Sequence, residues 1–302
     1  MTLLNPKISI ITPCLNRVEF IRTAIESVLA QNYQNFEHII IDGGSTDGTL
    51  ELLKKYQHVI LVSEPDKNLY EAINKGIRLA SGKIIGHLNS DDFYSKAIFG
   101  EIARIFLQYP EIDVVCGRAS VFEDNPETNI QNNIAIYKEY LSIESITLKS
   151  PIINAKFFNK SLYENFGLYN TNYSIASDRE FLLRIAFNNA KAIACDKIVY
   201  NYRQHPGSLT IGTSSRHLKI KTNKEYLQLS ESYLKKYKHM RDIKNLFTKW
   251  HTKISIHLLV LYIRQKMFIA ASLIIIRGLK FDIKFPICLV FLLTQSILIK
   301  KG

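Results

Sequence analysis

Between residues 7 and 116, short β-branched runs alternate with amphipathic helical stretches, and this alternation restricts the fold more than any other feature of the chain. Lys7-Ile-Ser-Ile-Ile-Thr12 reads as a first strand ended by Pro13. From Glu19 to Ala30, Phe20, Ile21, Ala24, Ile25, Val28 and Leu29 recur at helical spacing. Glu37–Asp42 makes a second strand, and after Gly43–Gly48 a helical stretch runs from Thr49 to Tyr56. Val59–Val62 and Leu69–Ala80 repeat the strand and helix. The run Lys83-Ile-Ile-Gly-His-Leu-Asn-Ser-Asp-Asp92 then empties into two adjacent carboxylates, ahead of a helix at Ala97–Tyr109 and a strand at Asp113–Cys116. Helices of this length between strands imply right-handed crossovers. The expected class is therefore α/β, a Rossmann-like, mostly parallel central sheet flanked by helices.

In such sheets ligands bind at the rim where the strands end. Thr12, Pro13, Asp42, Glu64, Asp66, Asp91 and Asp92 fall at or just after strand ends, so one cleft is expected to gather them. Two adjacent carboxylates repel unless a cation or a hydrogen-bond network compensates, which makes a hard divalent metal a natural third party. The plainer reading of this acidic pair is a cap for the helix that follows. Asp42-Gly-Gly-Ser-Thr-Asp-Gly48 follows the second strand, not the first. It has neither Lys-Ser/Thr nor Gly-x-Gly-x-x-Gly, so P-loop and dinucleotide-binding folds are set aside.

Taken together, Lys7–Asn16, Ala30–Thr49 and Ser63–Gly76 resemble successive blocks of the family 2, GT-A fold glycosyltransferases. Gly86-His-Leu-Asn-Ser-Asp-Asp92 falls where that family keeps its metal-binding Asp-x-Asp motif, and the likeness covers about residues 5–210. It implies an inverting hexosyl- or N-acetylhexosaminyltransferase using a nucleotide-sugar, expected to be a UDP-sugar, with Mn²⁺ or Mg²⁺. By the same resemblance the Thr12-Pro13 turn and Asp42 hold base and ribose, Asp66 lines that pocket, and Lys75, near the start of the fourth block, is a further nucleotide-sugar-binding residue. Asp91 and Asp92 meet ribose and the metal on the diphosphate. Two positions depart from the pattern. Asn89 stands where many relatives have the motif's first Asp, and Gly43 where many have a second Asp that contacts uracil.

Glu123–Asn133, rich in Asn, Asp, Glu and Pro, reads as a surface loop. Ser150–Phe158 resembles the family's strand that approaches the acceptor, followed by a short helix at Ser161–Phe166. Asp178 opens a helix whose Phe181, Leu182, Ile185 and Ala186 face the core, which turns its carboxylate toward the sheet rim. The resemblance assigns Asp178 as the base that takes the acceptor proton, with Glu180 as an alternative or an orienting neighbour. An ordinary helix cap is the plainer role. Asn201–Thr210 resembles a loop that closes over bound nucleotide, with His205 on diphosphate or metal and Arg203 its partner. His38, His58 and His87 read as structural.

The charge is uneven. Arg216 onward holds 18 Lys and Arg against 4 Asp and Glu, out of 39 and 27 in all, which leaves 21 against 23 before it. These bases interleave with aliphatic runs, which favours an anionic membrane surface over nucleic acid. The longest run, Phe285–Ile299, falls short of the ~20 residues that cross a bilayer. Interfacial helices, a helical cap or contact with a second subunit all remain open. Four distant cysteines and a start without a signal-like stretch point to a reducing cytosolic location, peripheral on the inner face of the cell membrane.

The expected organisation is a catalytic domain at 1–212, with a nucleotide-sugar half at 1–118 and an acceptor half at 119–212, then a basic helical region at 213–302. With Trp250 the only Trp, the synthase-type Gln-x-x-Arg-Trp motif is absent, so single-sugar addition to a saccharide or lipid-linked acceptor is expected. A sugar-phosphate nucleotidyltransferase is the rival. It should carry a Gly-rich basic loop after the first strand, which Pro13-Cys-Leu-Asn16 does not resemble. A phospho-acceptor receiver module would need an acidic pair after that strand, and none is present.

Overall fold

The computed structural model describes residues 5–124, 131–138, 140–149, 151–205, 207–208, 215–282 and 285–286, with backbone alone at 131–134 and 138. The chain forms two compact units, Met1–His205 and Pro206–Gly302.

The first unit opens with β1 (Ile8–Cys14), α1 (Ile21–Leu29), β2 (Phe36–Asp42), α2 (Thr49–Leu53), β3 (Val59–Ser63), α3 (Leu69–Leu79) and β4 (Ile84–His87). It continues through β5 (Phe93–Tyr94), α4 (Ile98–Gln108), β6 (Val114–Asp124), β7 (Gln131–Lys138) and α5 (Ile143–Leu148). A 3-10 turn at Ile153–Ala155, β8 (Lys156–Asn159), α6 (Ser161–Phe166), α7 (Ser177–Phe187) and β9 (Ala192–Arg203) complete it. The strands lie in the order β3-β2-β1-β4-β8-β6-β9-β5, with β7 on β6. β3, β2, β1 and β4 pair in parallel, as their helical crossovers require. β8 is antiparallel to both β4 and β6, so its first residues share a rim with the last residues of β1–β4. β6 and β9 are again parallel.

Of the apolar face expected at Glu19–Ala30, Ile21, Ala24, Ile25 and Val28 are buried, whereas Leu29 is 51% exposed and Phe20 half-buried. α4 buries Ile98, Phe99, Ile102, Ala103 and Ile105. α3 packs so close to the sheet that a Cβ on Gly76 would stand 2.4 Å from Ile11 Cγ2. At the rim where the strands begin, Glu37 accepts from Ser9, Ser81 and Lys7, and despite burial these partners hold its carboxyl down at about 2.

Several boundaries differ from those expected. β1 does not stop at Pro13, because its pairing with β2 continues through Cys14↔Asp42 and Gly43 N donates to Cys14 O at 2.8 Å. Of the expected Glu123–Asn133 loop, Glu123, Asp124 and Gln131–Asn133 are strand, and residues 125–130 lie outside the described residues. β6 and β7 pair as far as Asp124↔Gln131, and backbone pairing overrides polar composition there. In Ser150–Phe158 only Lys156 onward is strand, and Ser150 lies outside the described residues. Asn201–Arg203 belongs to β9, with Pro206 and residues 209–210 outside the described residues.

The second unit contains α8 (Arg216–Lys236), α9 (Arg241–Arg264) and α10 (Phe268–Phe281). Tyr233 stacks on Phe247 at 5.0 Å, and Phe247 meets Trp250 edge-on. Glu231 on α8 binds Arg277 on α10 and His251 on α9, which ties the three helices together. No described helix is long and apolar enough to cross a membrane. Most of the Phe285–Ile299 run lies outside the described residues.

Candidate active site

The carboxyl rim of β1–β4 carries four loops, and two of them are knitted together by side chains. Asn16 in the left-handed region (φ 52) accepts from Thr46 N at 2.9 Å, and Arg17 N donates to Thr49 Oγ1 at 2.8 Å. Val18 N and Thr49 N both reach Asp47, whose bond from the Thr49 hydroxyl leads in holding its carboxyl below the ordinary value. The bonds of Asn16 to Thr46 and of Asp47 to Val18 escaped the sequence reading, since these partners are about thirty residues away in sequence.

Asp42 is fully buried at the end of β2, and it holds the turn that follows. Its Oδ2 accepts from Gly44 N, Ser45 N and Ser63 Oγ, and its Oδ1 from Ser45 Oγ. Gly44 takes φ +87, which glycine adopts without strain. Thr12 is likewise fully buried, sharing a 2.9 Å hydrogen bond with His38. Neither side chain therefore faces the cleft, and Pro13 lies buried between Thr12 and Cys14, within a strand and not in a turn. The parallel ladder carries β1 past the point where it was expected to turn. His38 and His87 are both buried and held neutral, with burial pushing each down to about 3.

Asp66 and Lys75 do meet. Lys75 Nζ lies 2.8 Å from Asp66 Oδ1 and 2.7 Å from Glu64 Oε1, and these bonds, Asp66's first, raise its pKa. Asp66 Oδ2 lies 3.7 Å from the place a Cβ would take on Gly43, with Leu15 Cδ1 at 3.5 Å. A side chain fits there, but a second carboxylate would face Asp66. That is a physical reason for glycine at position 43.

The acidic pair divides its roles. Asp92 is 1% exposed and turned inward, where its Oδ2 accepts from the Tyr200 hydroxyl and from Asn89 Nδ2 at 3.1 Å, and its Oδ1 from Arg203 N at 2.7 Å. Burial and then Asp91 push its carboxyl well above the ordinary range. Asp92 therefore anchors β9, contrary to its expected place beside Asp91 on a metal, and it does not cap α4. Asp91 stays at the surface of the cleft, with its Oδ2 3.1 Å from His205 Nε2. Arg203 Nε donates to Asp91 O at 2.9 Å, its Nη1 pairs with Asp124, and its guanidinium sits between the rings of Phe20 and Phe122. These contacts brace the acidic loop.

His205 stacks on Phe20 with centroids 4.9 Å apart. Phe20 and Tyr200 were the functional neighbours that sequence reading missed. Phe20 was counted with the core face of α1, and Tyr200 falls in the alternation of Tyr200, Tyr202 and Val199 that marks a strand.

Asp178 approaches the same rim from the other half. Tyr169 and Asn74 exchange two bonds of 2.9 Å, Asn68 Nδ2 donates to Thr171 O, and Tyr70 OH donates to Ile175 O. These contacts lay residues 169–175 across the start of α3, which follows the end of β3, and α7 begins there. Asp178 is the second residue of α7, not its cap, and its Oδ1 accepts from Arg179 N at 2.5 Å. Part of the residue stays accessible, yet its carboxyl is ringed by protein. Burial pushes it up to about 6 against the pull of Arg179 and Lys156. Glu180 is engaged by Arg184 through two bonds of 3.0 and 2.9 Å, which leaves Asp178 as the base candidate of the pair.

Among the described residues, no group of three or more His, Cys, Asp and Glu converges to hold a metal. Asp91 and His205 supply two donors side by side. Such a pair suits a divalent ion that takes its remaining ligands from phosphate oxygens and water.

The sequence profile of glycosyl transferase family 2 matches residues 9–167. A "PGL/p-HBAD biosynthesis glycosyltransferase" of Mycobacterium bovis is 28% identical over 192 residues, spanning 61% of this chain and 72% of its own. Two solved structures share the fold at 17% identity. One is the mannosyltransferase PcManGT from Pyrobaculum calidifontis in complex with GDP-Man and Mn²⁺, with a TM-score of 0.60 over 95% of this chain and 84% of that one. The other is residues 1–349 of S. aureus TarS in complex with UDP, with a TM-score of 0.55 over 89% and 90%.

Proposed function

The chain belongs to glycosyl transferase family 2, and from this premise we propose that it moves one sugar, with inversion, from a nucleotide-sugar to a hydroxyl of a saccharide or lipid-linked acceptor. A UDP-sugar is the donor we favour. What carries the reading is one juxtaposition: Asp178, its carboxyl lifted to about 6, borders the same strand-end rim as the Asp91–His205 pair.

Asp91 and His205 would hold Mn²⁺ or Mg²⁺, which when bound neutralises charge on the departing diphosphate. Asp66, paired with Lys75 beside Gly43 and Leu15, borders the space for the base. The acceptor hydroxyl gives its proton to the Asp178 carboxylate as its oxygen bonds to the anomeric carbon, and the bond from that carbon to the diphosphate breaks. A carboxyl near 6 is ionised at neutral pH and more basic than an exposed aspartate, which suits proton abstraction.

The test is donor turnover across UDP-, GDP- and dTDP-sugars with Mn²⁺, repeated with Asp178→Asn. Metal-stimulated release of one nucleotide, lost in the variant while nucleotide binding persists, is the expected result. Full turnover by Asp178→Asn would overturn it.

A further inference from the structure

Helix α10 has two apolar sides, and among the described residues only one is covered. Ala271, Ile274 and Gly278 are buried, with Gly278 so close to Phe285 that a Cβ would stand 2.8 Å from its ring. The other side presents Phe268, Ile269, Leu273, Ile276 and Leu279, each between 43 and 82% exposed. Ile269, Leu273 and Ile276 follow at i, i+4 and i+7, so they form one row along the helix. Single exposed apolar residues are ordinary, whereas a continuous row marks an interaction surface.

The exposed charges flanking the row are mostly basic, with Asp282 beyond its end and Arg277 paired to Glu231. Arg264 and Lys266 precede it, Lys280 closes it, and no Asp or Glu occurs between Asp242 and Asp282. Arg264, Lys266 and Lys280 are all exposed. Such a face complements an anionic lipid surface: apolar side chains enter the boundary of the acyl chains while cations meet phosphates. A second copy would set these cations against their own kind. At 14 residues, or about 21 Å, the helix fits the plane of the interface and not the ~30 Å depth of the hydrocarbon core.

We infer that α10 docks the protein in the interface of anionic membranes through Ile269, Leu273 and Ile276, with Arg264, Lys266 and Lys280 at the headgroups. This stands apart from the sugar-transfer reading, so either can fail alone.

Co-sedimentation of the full chain with vesicles of phosphatidylcholine, alone or with about one third phosphatidylglycerol, tests it. Binding is expected on the anionic vesicles and should weaken with salt. The variant Ile269→Gln/Leu273→Gln/Ile276→Gln should bind about tenfold more weakly. Lys266→Glu/Lys280→Glu, which keeps the row, should lose several-fold and decides the matter if the glutamine variant fails to fold. Equal binding to both vesicles, no binding, or unchanged binding by a folded variant overturns the inference. So does a dimer on size-exclusion chromatography that the glutamine variant converts to monomer, since a second copy would then own the row.

Discussion

The Tyr200 hydroxyl donates to the carboxylate of Asp92 across 108 residues of chain, in a site with no room for water-exposed charge. Asn154 Nδ2 donates to the same hydroxyl at 2.8 Å, so β9, the acidic loop and the turn before β8 meet at one oxygen. Asp91 is thereby left facing outward with His205. The neighbouring carboxylates have opposite tasks because one is buried and the other is not.

Asp91→Asn should abolish Mn²⁺ binding measured by calorimetry in the presence of UDP. Tyr200→Phe, which reaches Asp91 only through the anchored Asp92 beside it, should weaken that binding without abolishing it. Because that change also leaves a buried carboxyl short of a donor, it should cost about 1–3 kcal/mol in urea unfolding. Equal stability of Tyr200→Phe and the parent would remove the anchoring role from Asp92.

The transfer rate should rise with pH along a limb of apparent pKa near 6 and then level, since the base works ionised. The stability effect has the opposite sign. A raised folded pKa means the native state binds the extra proton between about pH 4 and 6, so Asp178 lowers stability as pH rises through this window. Asp178→Asn should therefore be about 1–2 kcal/mol more stable than the parent at pH 7.5, after allowance for solvent screening, while inactive. Thermal melts at pH 4 and 7.5 measure the difference, which should vanish at the lower pH.

Lys75 alone bridges Glu64 and Asp66 among the described ion pairs. Lys75→Met should leave the two carboxylates facing each other and raise the donor KM by about tenfold with little change in kcat, as expected for lost ground-state positioning. Initial rates at varied donor concentration separate the two parameters. A fall confined to kcat would place Lys75 in the chemistry instead.

Gly86 sits in β4 where a Cβ would lie 2.8 Å from Ile10 Cδ1 and Phe157 Cε1 and 2.9 Å from Tyr94 Oη. Gly86→Ala should cost about 1–3 kcal/mol by overpacking, read as a lower urea midpoint with an unchanged slope.

The alternation of strands and helices was readable through α4 because each buried face repeats at the period of its own element, a local property. The Asp66–Lys75 pairing was nearly local as well, nine residues apart within one strand-to-helix unit. Tyr200, Phe20 and the inward turn of Asp92 were not readable, because each depends on a partner from another element. Nothing in Asn89-Ser-Asp-Asp92 distinguishes a carboxylate that will be buried from one that will not.

Period and turn chemistry in the chain determined the layered α/β architecture and which loops gather at one rim, since both follow from short-range sterics and the burial of one face. Packing decided which acids on that rim stay open to a ligand. Asp42 and Asp92 are withdrawn into hydrogen bonds, whereas Asp91 keeps an exposed edge and Asp178 is held at a raised pKa. Desolvation depends on every neighbour in space, and those neighbours come together only when β8 and β9 close against the first four strands.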